Sequence, residues 1–233
     1  MLREDLRHIF FDLDRTLWDF EGNSAATLTE LFHEMELGPA GVPGPAEFIR
    51  NYTEKNDLCW ELYRQDKMGK DRLRTERFVM ALETFGINDP VLSEEMGRRY
   101  IDRSPLKTGL LPNALETLAY LRDRYTLHII TNGFEEVQHI KLEQSGLRPF
   151  FDTVTTSERA GCKKPERQIF LHALATGKAH TFDSLMVGDD LEIDVYGARE
   201  AGMKAILFQP DTEAEKTEGI HTVHDLKTLC EWL

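Results

Sequence analysis

Short apolar runs alternate along this chain with longer segments in which apolar residues recur every three or four positions. The runs are rich in β-branched and aromatic residues and are too short to be typical helices, so they indicate buried strands. The predicted strands are His8–Leu13, Leu127–Thr131, Phe151–Thr155, Ser184–Val187 and Ala205–Phe208. Strands that alternate with helices in this way form a parallel sheet with helices on both faces.

Three of the intervening segments have the spacing of amphipathic helices. In the second of them, Val137 and Ile140 supply the apolar positions, and Gly146 is expected to end the helix. The predicted helices are Ala114–Arg124, Glu135–Gly146 and Gln168–Gly177. The sequence therefore predicts an α/β fold with a Rossmann-like parallel sheet at its core.

The stretch from about Gly22 to Ser104 interrupts this alternation, because its pattern is almost entirely helical. Asn23 and Ser24 are expected to cap a first helix, and two further apolar stripes follow a turn-rich break. The first helix carries an apolar stripe of Leu28, Leu31, Phe32 and Met35. We therefore expect a core domain of residues 1–16 and 105–233, with a helical cap domain of residues 17–104 inserted after the first strand.

Charge and hydropathy limit the classes of partner. The chain of 233 residues has 41 acidic and 28 basic residues and a formal net charge of -13. This balance opposes general binding to nucleic acids or to anionic membranes. No apolar run approaches the roughly 20 residues that span a bilayer, and no signal-peptide pattern is present, so a cytoplasmic location is expected. The 3 cysteines are far apart and predict no disulfide framework.

Two carboxylates follow the first predicted strand. Asp12 and Asp14 lie one residue apart, and like charges about 4 Å apart repel by about 4 kcal/mol at an effective dielectric constant of about 20. An aspartate at a strand end can attack phosphorus, and a second carboxyl can transfer protons to and from the reacting oxygens. A solvated turn stabilised by an aspartate side chain is the alternative interpretation.

Two later strands are followed by groups suited to an anion. Thr131, Asn132 and Gly133 offer a hydroxyl and backbone N–H groups before a helix, or else form an ordinary turn capped by Asn132. Lys164 precedes Pro165 and could place a positive charge on a phosphate, although most lysines lie at the surface.

The fourth place is an acidic cluster after the predicted strand Ser184–Val187. Asp189, Asp190 and Asp194 lie there, and oxygen ligands of this kind suit Mg²⁺. Helix capping would account for Asp190 and Asp194, but less well for Asp189. All four places lie at the carboxyl ends of strands, where open α/β sheets bind ligands.

In order and spacing, these four motifs resemble those of the haloacid dehalogenase superfamily of phosphohydrolases. Asp12 and Asp14 match the first motif, and Thr131 matches the second. Lys164 matches the third, and Asp189 with Asp194 match the fourth. The resemblance covers nearly the whole chain, including the helical insertion. Many members of the superfamily carry glycine where this chain has Arg15, which leaves the role of Arg15 open.

The resemblance implies a mechanism and a role for each motif. Asp12 would be the nucleophile, and Asp14 the general acid and base. Mg²⁺ would be held by Asp12, the backbone carbonyl of Asp14 and Asp189, with Asp190 and Asp194 behind these ligands. The phosphoryl group would be bound by Thr131, Lys164 and the N–H groups of Asn132 and Gly133.

Two segments are similar to a narrower group, the YjjG-type pyrimidine 5′-nucleotidases. They are DRTLWDF at 14–20 and ITNGFEEVQHIKLEQSGL at 130–147. This likeness implies a small phosphomonoester substrate such as UMP, dUMP, dTMP or a noncanonical analogue. A phosphatase of sugar phosphates or other small esters is the alternative, and a noncatalytic phospho-ligand sensor is a third hypothesis. We expect a monomer or homodimer with no nucleic-acid or membrane partner.

Overall fold

The computed structural model describes residues 5–210 and 218–233, and within them the strands form one six-stranded parallel sheet. The strand order is β3-β2-β1-β4-β5-β6, so β1 lies inside the sheet between β2 and β4. The strands are β1 His8–Phe11, β2 Thr126–Thr131, β3 Thr153–Thr156, β4 Ser184–Gly188, β5 Lys204–Phe208 and β6 His221–Val223. The predicted α/β class with a parallel sheet is confirmed.

The five predicted strands are all present, with ends that differ from the prediction by up to two residues. β1 ends at Phe11, before the predicted Leu13, and β3 begins at Thr153, after the predicted Phe151. The sixth strand, β6, was not predicted, because it has three residues of which only Val223 is buried. A strand that short leaves no apolar pattern in the sequence.

Helices occupy the segments between the strands and the long insertion. They are α1 Phe20–Glu34, α2 Pro45–Arg64, α3 Lys70–Glu83, α4 Pro90–Arg103, α5 Ala114–Arg122, α6 Glu135–Gln144, α7 Ser157–Ala160, α8 Arg167–Gly177, α9 Gly197–Glu200 and α10 Thr228–Trp232. A π-helical segment, Leu191–Tyr196, precedes α9. Among the described residues, no helix combines the length and the apolarity that crossing a bilayer requires.

The chain divides into two compact units. One, the sheet unit, consists of Met1–Phe20 and Thr108–Leu233, and the other, the helical unit, of Glu21–Lys107. These divisions fall a few residues after the expected boundaries of the cap at 17 and 104. Within the sheet unit, the two chain ends that lead to the insertion are paired: the Asp19 N–H donates to the Gly109 carbonyl at 3.1 Å, and the Leu111 N–H to the Leu17 carbonyl at 2.9 Å.

The sheet is buried on both faces, which explains the consecutive apolar residues Ile9, Phe10 and Phe11 in β1. In β1, Ile9 and Phe11 pack into one apolar cluster, while Phe10 packs into a second cluster on the opposite face. Successive side chains of a strand point to opposite faces, so a strand covered on both faces favours consecutive apolar residues. This accounts for the visibility of β1 in the sequence.

The helical unit has its own apolar core, and the expected cap of its first helix is wrong. α1 begins at Phe20, so Asn23 and Ser24 lie inside the helix and are buried. The Tyr100 hydroxyl donates to Ser24 Oγ at 2.8 Å, so this serine has a tertiary partner instead of a capping role. The fourth helix, α4, is capped by Asp89, whose carboxylate accepts from Val91 N and Leu92 N.

Helix α6 presents a different face to the core from the one predicted. Ile140 is 39% exposed and Val137 is only half-buried, whereas Gln138, Lys141 and Leu142 are buried. The predicted and observed faces are one residue apart along the helix and share the same periodicity. The apolar pattern predicted the wrong face, because two long polar side chains, those of Gln138 and Lys141, point inward.

A histidine pair lies on the Phe10 face of the sheet. His128 of β2 is 1% exposed, its ring stacks on Phe10 at 4.5 Å, and its Nδ1 lies 2.8 Å from Thr153 Oγ1. Its Nε2 lies 3.1 Å from Nδ1 of His8. Burial, with a further contribution from His8, lowers the pKa of His128 to about 4. This residue is therefore held neutral inside the fold.

We expect His128 to destabilise the fold as the pH falls from about 6.5 to about 4. The unfolded chain protonates this ring near its ordinary pKa of 6.5, whereas the folded chain resists protonation down to about 4. The free energy of unfolding should therefore fall over this window by about 3 kcal/mol more in the wild type than in His128→Asn. Urea denaturation at several pH values measures this difference. Parallel pH profiles for the two proteins would contradict the assignment.

Candidate active site

The predicted site residues meet at the carboxyl edge of the sheet. β1 lies between β2 and β4, so the residues that follow or end these three strands are neighbours. Asp12 follows β1, Thr131 ends β2, and Asp189 follows β4. Lys164 reaches the same place from the segment before α8.

Lys164 is the centre of a buried charge cluster. Its Nζ lies 2.6 Å from Asp12 Oδ1 and 2.5 Å from Asp194 Oδ1, and the residue is 2% exposed. The alternative of a surface lysine is therefore wrong. Burial lowers the pKa of Lys164, but the attraction of Asp12 and Asp194 outweighs it and raises the pKa, so the ammonium is retained.

Three carboxylates gather around this lysine. One oxygen each of Asp12, Asp189 and Asp194 lies within 4.8 Å of the others, and Asp189 also accepts from Thr16 Oγ at 3.1 Å. When ionised, the three carboxylates and the single ammonium of Lys164 leave two negative charges. Hard oxygen donors with that residual charge fit a divalent ion such as Mg²⁺. The donor set thus suits the predicted metal.

The carboxylates repel one another in a poorly solvated place. Burial raises the pKa of Asp12 well above its ordinary value, with Lys164 opposing the shift and Asp194 and Asp189 adding to it. Burial and then Asp194 raise the pKa of Asp189 to about 7. The pKa of Asp194 is raised by burial too, against Lys164. A cation among these groups would favour their ionised forms.

Asp194 and Asp190 differ in what their carboxylates do in the structure. Asp194 lies within the carboxylate cluster itself, where its Oδ2 accepts from the Asp190 N–H at 3.2 Å. A Cβ on Gly188 would lie 2.3 Å from the same oxygen, so glycine is required there. The Asp190 carboxylate instead accepts from Glu192 N and Ile193 N and caps the following helical turn. The capping alternative therefore describes Asp190.

The Thr131-Asn132-Gly133 turn uses most of its polar groups within the protein. Asn132 clamps the Lys164 backbone, since its Oδ1 accepts from Lys164 N at 2.7 Å and its Nδ2 donates to Lys164 O at 2.9 Å. The Gly133 N–H donates to Thr131 Oγ1 at 3.1 Å, and so does Gln138 Nε2 at 2.7 Å. With both accepting positions taken, the Thr131 hydroxyl proton is the group that can be donated to an anion.

Asp14 turns its side chain away from the three-carboxylate cluster. Its Oδ2 accepts from Gln138 Nε2 at 2.8 Å, and its Oδ1 pairs with Lys141 Nζ at 2.5 Å. Neither Gln138 nor Lys141 was identified from the sequence. Their spacing of three residues on one helix, directly after the Asn-Gly turn, was the available signal.

Arg15 occupies a backbone conformation that favours glycine. Its φ is 64°, in the left-handed region that glycine adopts without a steric cost. The guanidinium lies over the Phe20 ring, 4.6 Å from its centroid. Trp18, nearby, is fully buried and packs in the core of the sheet unit, so its indole is not exposed for stacking on a substrate.

Comparison with known proteins identifies the family of the chain. Over residues 6–202 the chain matches the model of the haloacid dehalogenase-like hydrolases. It is 32% identical to the pyrimidine 5′-nucleotidase YjjG of Escherichia coli, over 96% of this chain and 94% of the relative. It is 39% identical to a glyceraldehyde 3-phosphate phosphatase of Pyrococcus abyssi, over 88% of this chain and 82% of the relative.

A solved structure has the same fold. It is that of the HAD-hydrolase YfnB of Bacillus subtilis bound to magnesium, with a TM-score of 0.86 and 25% identity. The match covers 97% of this chain and 98% of that one. The four motifs, the parallel sheet and these similarities agree, and the chain is an enzyme of the haloacid dehalogenase-like hydrolase family.

Proposed function

We propose that this hydrolase is a Mg²⁺-dependent phosphatase that acts through an aspartyl-phosphate on Asp12, with pyrimidine nucleoside monophosphates as its substrates. The observation that carries the chemistry is the buried Lys164 bound to Asp12, 2.6 Å away, with the Asp14 carboxyl held separately two residues later. Such a pair of carboxyls offers one group for attack and a second for proton transfer.

The residues divide the reaction into two steps. An oxygen of the Asp12 carboxylate forms a bond to phosphorus, and the ester oxygen leaves with a proton from Asp14. Asp14 then takes a proton from water, whose oxygen attacks phosphorus and releases inorganic phosphate and free Asp12. The Lys164 ammonium and the Thr131 hydroxyl bind the phosphoryl oxygens throughout.

The metal would be held by Asp12, Asp189 and the Asp14 backbone carbonyl, with Asp194 beside them in the cluster. When bound, Mg²⁺ would supply positive charge that stabilises the negative charge on the phosphoryl oxygens. The protein's own part is to keep these carboxylates together, and Lys164 does this by bridging Asp12 and Asp194.

The substrate class rests on sequence similarity to the pyrimidine 5′-nucleotidase. The phosphatase relative that acts on glyceraldehyde 3-phosphate favours a second candidate, a small sugar or triose phosphate.

In the helical unit, the half-buried Trp60 and the buried Tyr63 form an edge-to-face pair at 5.5 Å. We also propose that residues 17–104 are the cap that selects the substrate. The proposal includes a cytoplasmic location and a monomeric or homodimeric state.

Replacing the nucleophile should abolish turnover. Asp12→Asn is expected to lower phosphate release at least about 1,000-fold, because an amide does not form the acyl phosphate. Asp123→Asn, an exposed carboxylate after α5, is the matched control and should retain full activity. Phosphate release from a nucleoside monophosphate measures both variants, and circular dichroism checks their folding. Full turnover by Asp12→Asn would refute the nucleophile, whereas a stable phosphoprotein without turnover would favour the sensor hypothesis.

Metal removal should have two separate consequences. EDTA is expected to abolish activity, and added Mg²⁺ should restore it. Mg²⁺ alone should also raise the melting temperature of the wild type by mass action, and this rise should be lost in Asp189→Asn. Thermal unfolding with and without Mg²⁺ measures the second effect without any substrate. Activity that persists in EDTA, together with an unchanged melting temperature, would contradict the metal site.

The substrate class is tested by a panel of kcat/KM values. We expect UMP, dUMP and dTMP to exceed glyceraldehyde 3-phosphate and hexose phosphates by at least about tenfold, which corresponds to about 1.4 kcal/mol of selective binding in the transition state. Phosphate release under identical Mg²⁺ conditions gives each value. A reversed order would favour the sugar-phosphate alternative while leaving the mechanism intact.

A further inference from the structure

The inward face of α6 is polar, and its polar groups converge on Asp14. Gln138 Nε2 donates to Oδ2 of Asp14 at 2.8 Å, and Lys141 Nζ donates to Oδ1 at 2.5 Å. Gln138 is fully buried and Lys141 is 5% exposed, while the Asp14 side chain keeps 26% of its exposure. Both oxygens of an otherwise accessible carboxylate are therefore fixed from the protein side.

Packing does not explain these two side chains. Lysine is almost never buried unless it is paired, and the Oε1 atom of Gln138 is buried without a hydrogen-bond partner among residues 5–210 and 218–233. Apolar residues were available one position away, but Val137 is only half-buried and Ile140 is exposed. A helix that needed only a packed face would turn those residues inward instead.

Neighbouring residues direct both groups toward Asp14. The Lys141 ammonium lies over the indole of Trp18, 4.2 Å from the ring centroid, so a cation–π contact stabilises it in this orientation. A Cβ on Gly133 would lie 2.0 Å from Gln138 Nε2, so this glycine leaves space for the amide. The amide then bridges Thr131 Oγ1 and Asp14 Oδ2.

We propose that Gln138 and Lys141 are positioning residues that hold the Asp14 carboxyl for proton transfer to the leaving oxygen and from the attacking water. This inference rests on the proposed function, in which Asp14 carries that proton. Two donors on two oxygens fix the rotation of the carboxyl group about both of its side-chain bonds, and proton transfer requires such fixed geometry. Each of the two aspartates thus has its own lysine partner: Lys164 pairs with Asp12, and Lys141 pairs with Asp14.

The dependence on the leaving group tests this role. A nucleoside or sugar alkoxide needs a proton to leave, whereas p-nitrophenolate leaves without one. Lys141→Met should therefore lower kcat/KM for a nucleoside monophosphate by about 10- to 100-fold, but for p-nitrophenyl phosphate by less than about threefold. Gln138→Leu should show the same selectivity to a smaller extent, and Lys141→Arg should recover part of the loss by restoring a charged donor.

Exposed residues provide matched controls. Lys227→Met removes an exposed lysine before α10, and Gln144→Leu removes an exposed glutamine on α6 itself; both should resemble the wild type with both esters. The inference would be overturned if Lys141→Met and Gln138→Leu lowered kcat/KM equally for both esters. It would also be overturned if neither variant lowered kcat/KM. The value of kcat/KM with p-nitrophenyl phosphate reports whether the active site is folded. A misfolded variant would lose activity with both esters, and Lys141→Arg would not restore it. That result also counts against positioning. If Asp12→Asn kept the wild-type rate of turnover, that result would instead refute the proposed function.

Discussion

The buried ion pairs of Lys164 are the interaction on which the site depends. Three carboxylates meet in a place from which water is largely removed, and a single ammonium bridges two of them. Removing one member of a buried ion pair leaves the others uncompensated and is strongly destabilising. The Asn132 side chain holds both polar groups of the Lys164 backbone, and it therefore helps to position the lysine whose ammonium bridges Asp12 and Asp194.

Strand order explains why the motifs meet although they are distant in sequence. The chain places β1 inside the sheet and adds β2 and β3 on one side and β4 to β6 on the other. The winding reverses at β1, and such a reversal opens a crevice at the carboxyl ends of the strands. Asp12 lies at that point, and the residues after β2 and β4 flank it. The sheet topology thus determines which side chains surround Asp12.

The fold was predictable where burial leaves a periodic pattern, and unpredictable where it does not. In β1, the three residues after His8 are all apolar because both faces of the strand are covered, whereas β6 has one buried residue and was missed. The four motifs identified the edge of the sheet, but not that Asp194 lies in the carboxylate cluster or that Asp190 caps a helix. Helix α6 was rotated in the prediction, because an apolar criterion cannot recognise a buried lysine whose partner is distant in sequence.

The paired chain ends of the insertion have a consequence for how the molecule can change. Asp19 and Gly109 are joined by a backbone hydrogen bond inside the sheet unit, so the insertion leaves and re-enters at neighbouring points. A short turn could close that gap at little entropic cost, and a longer or different insertion could be accepted there equally well. The sheet unit could thus keep its sequence while the inserted helices are replaced, over evolutionary time or by design.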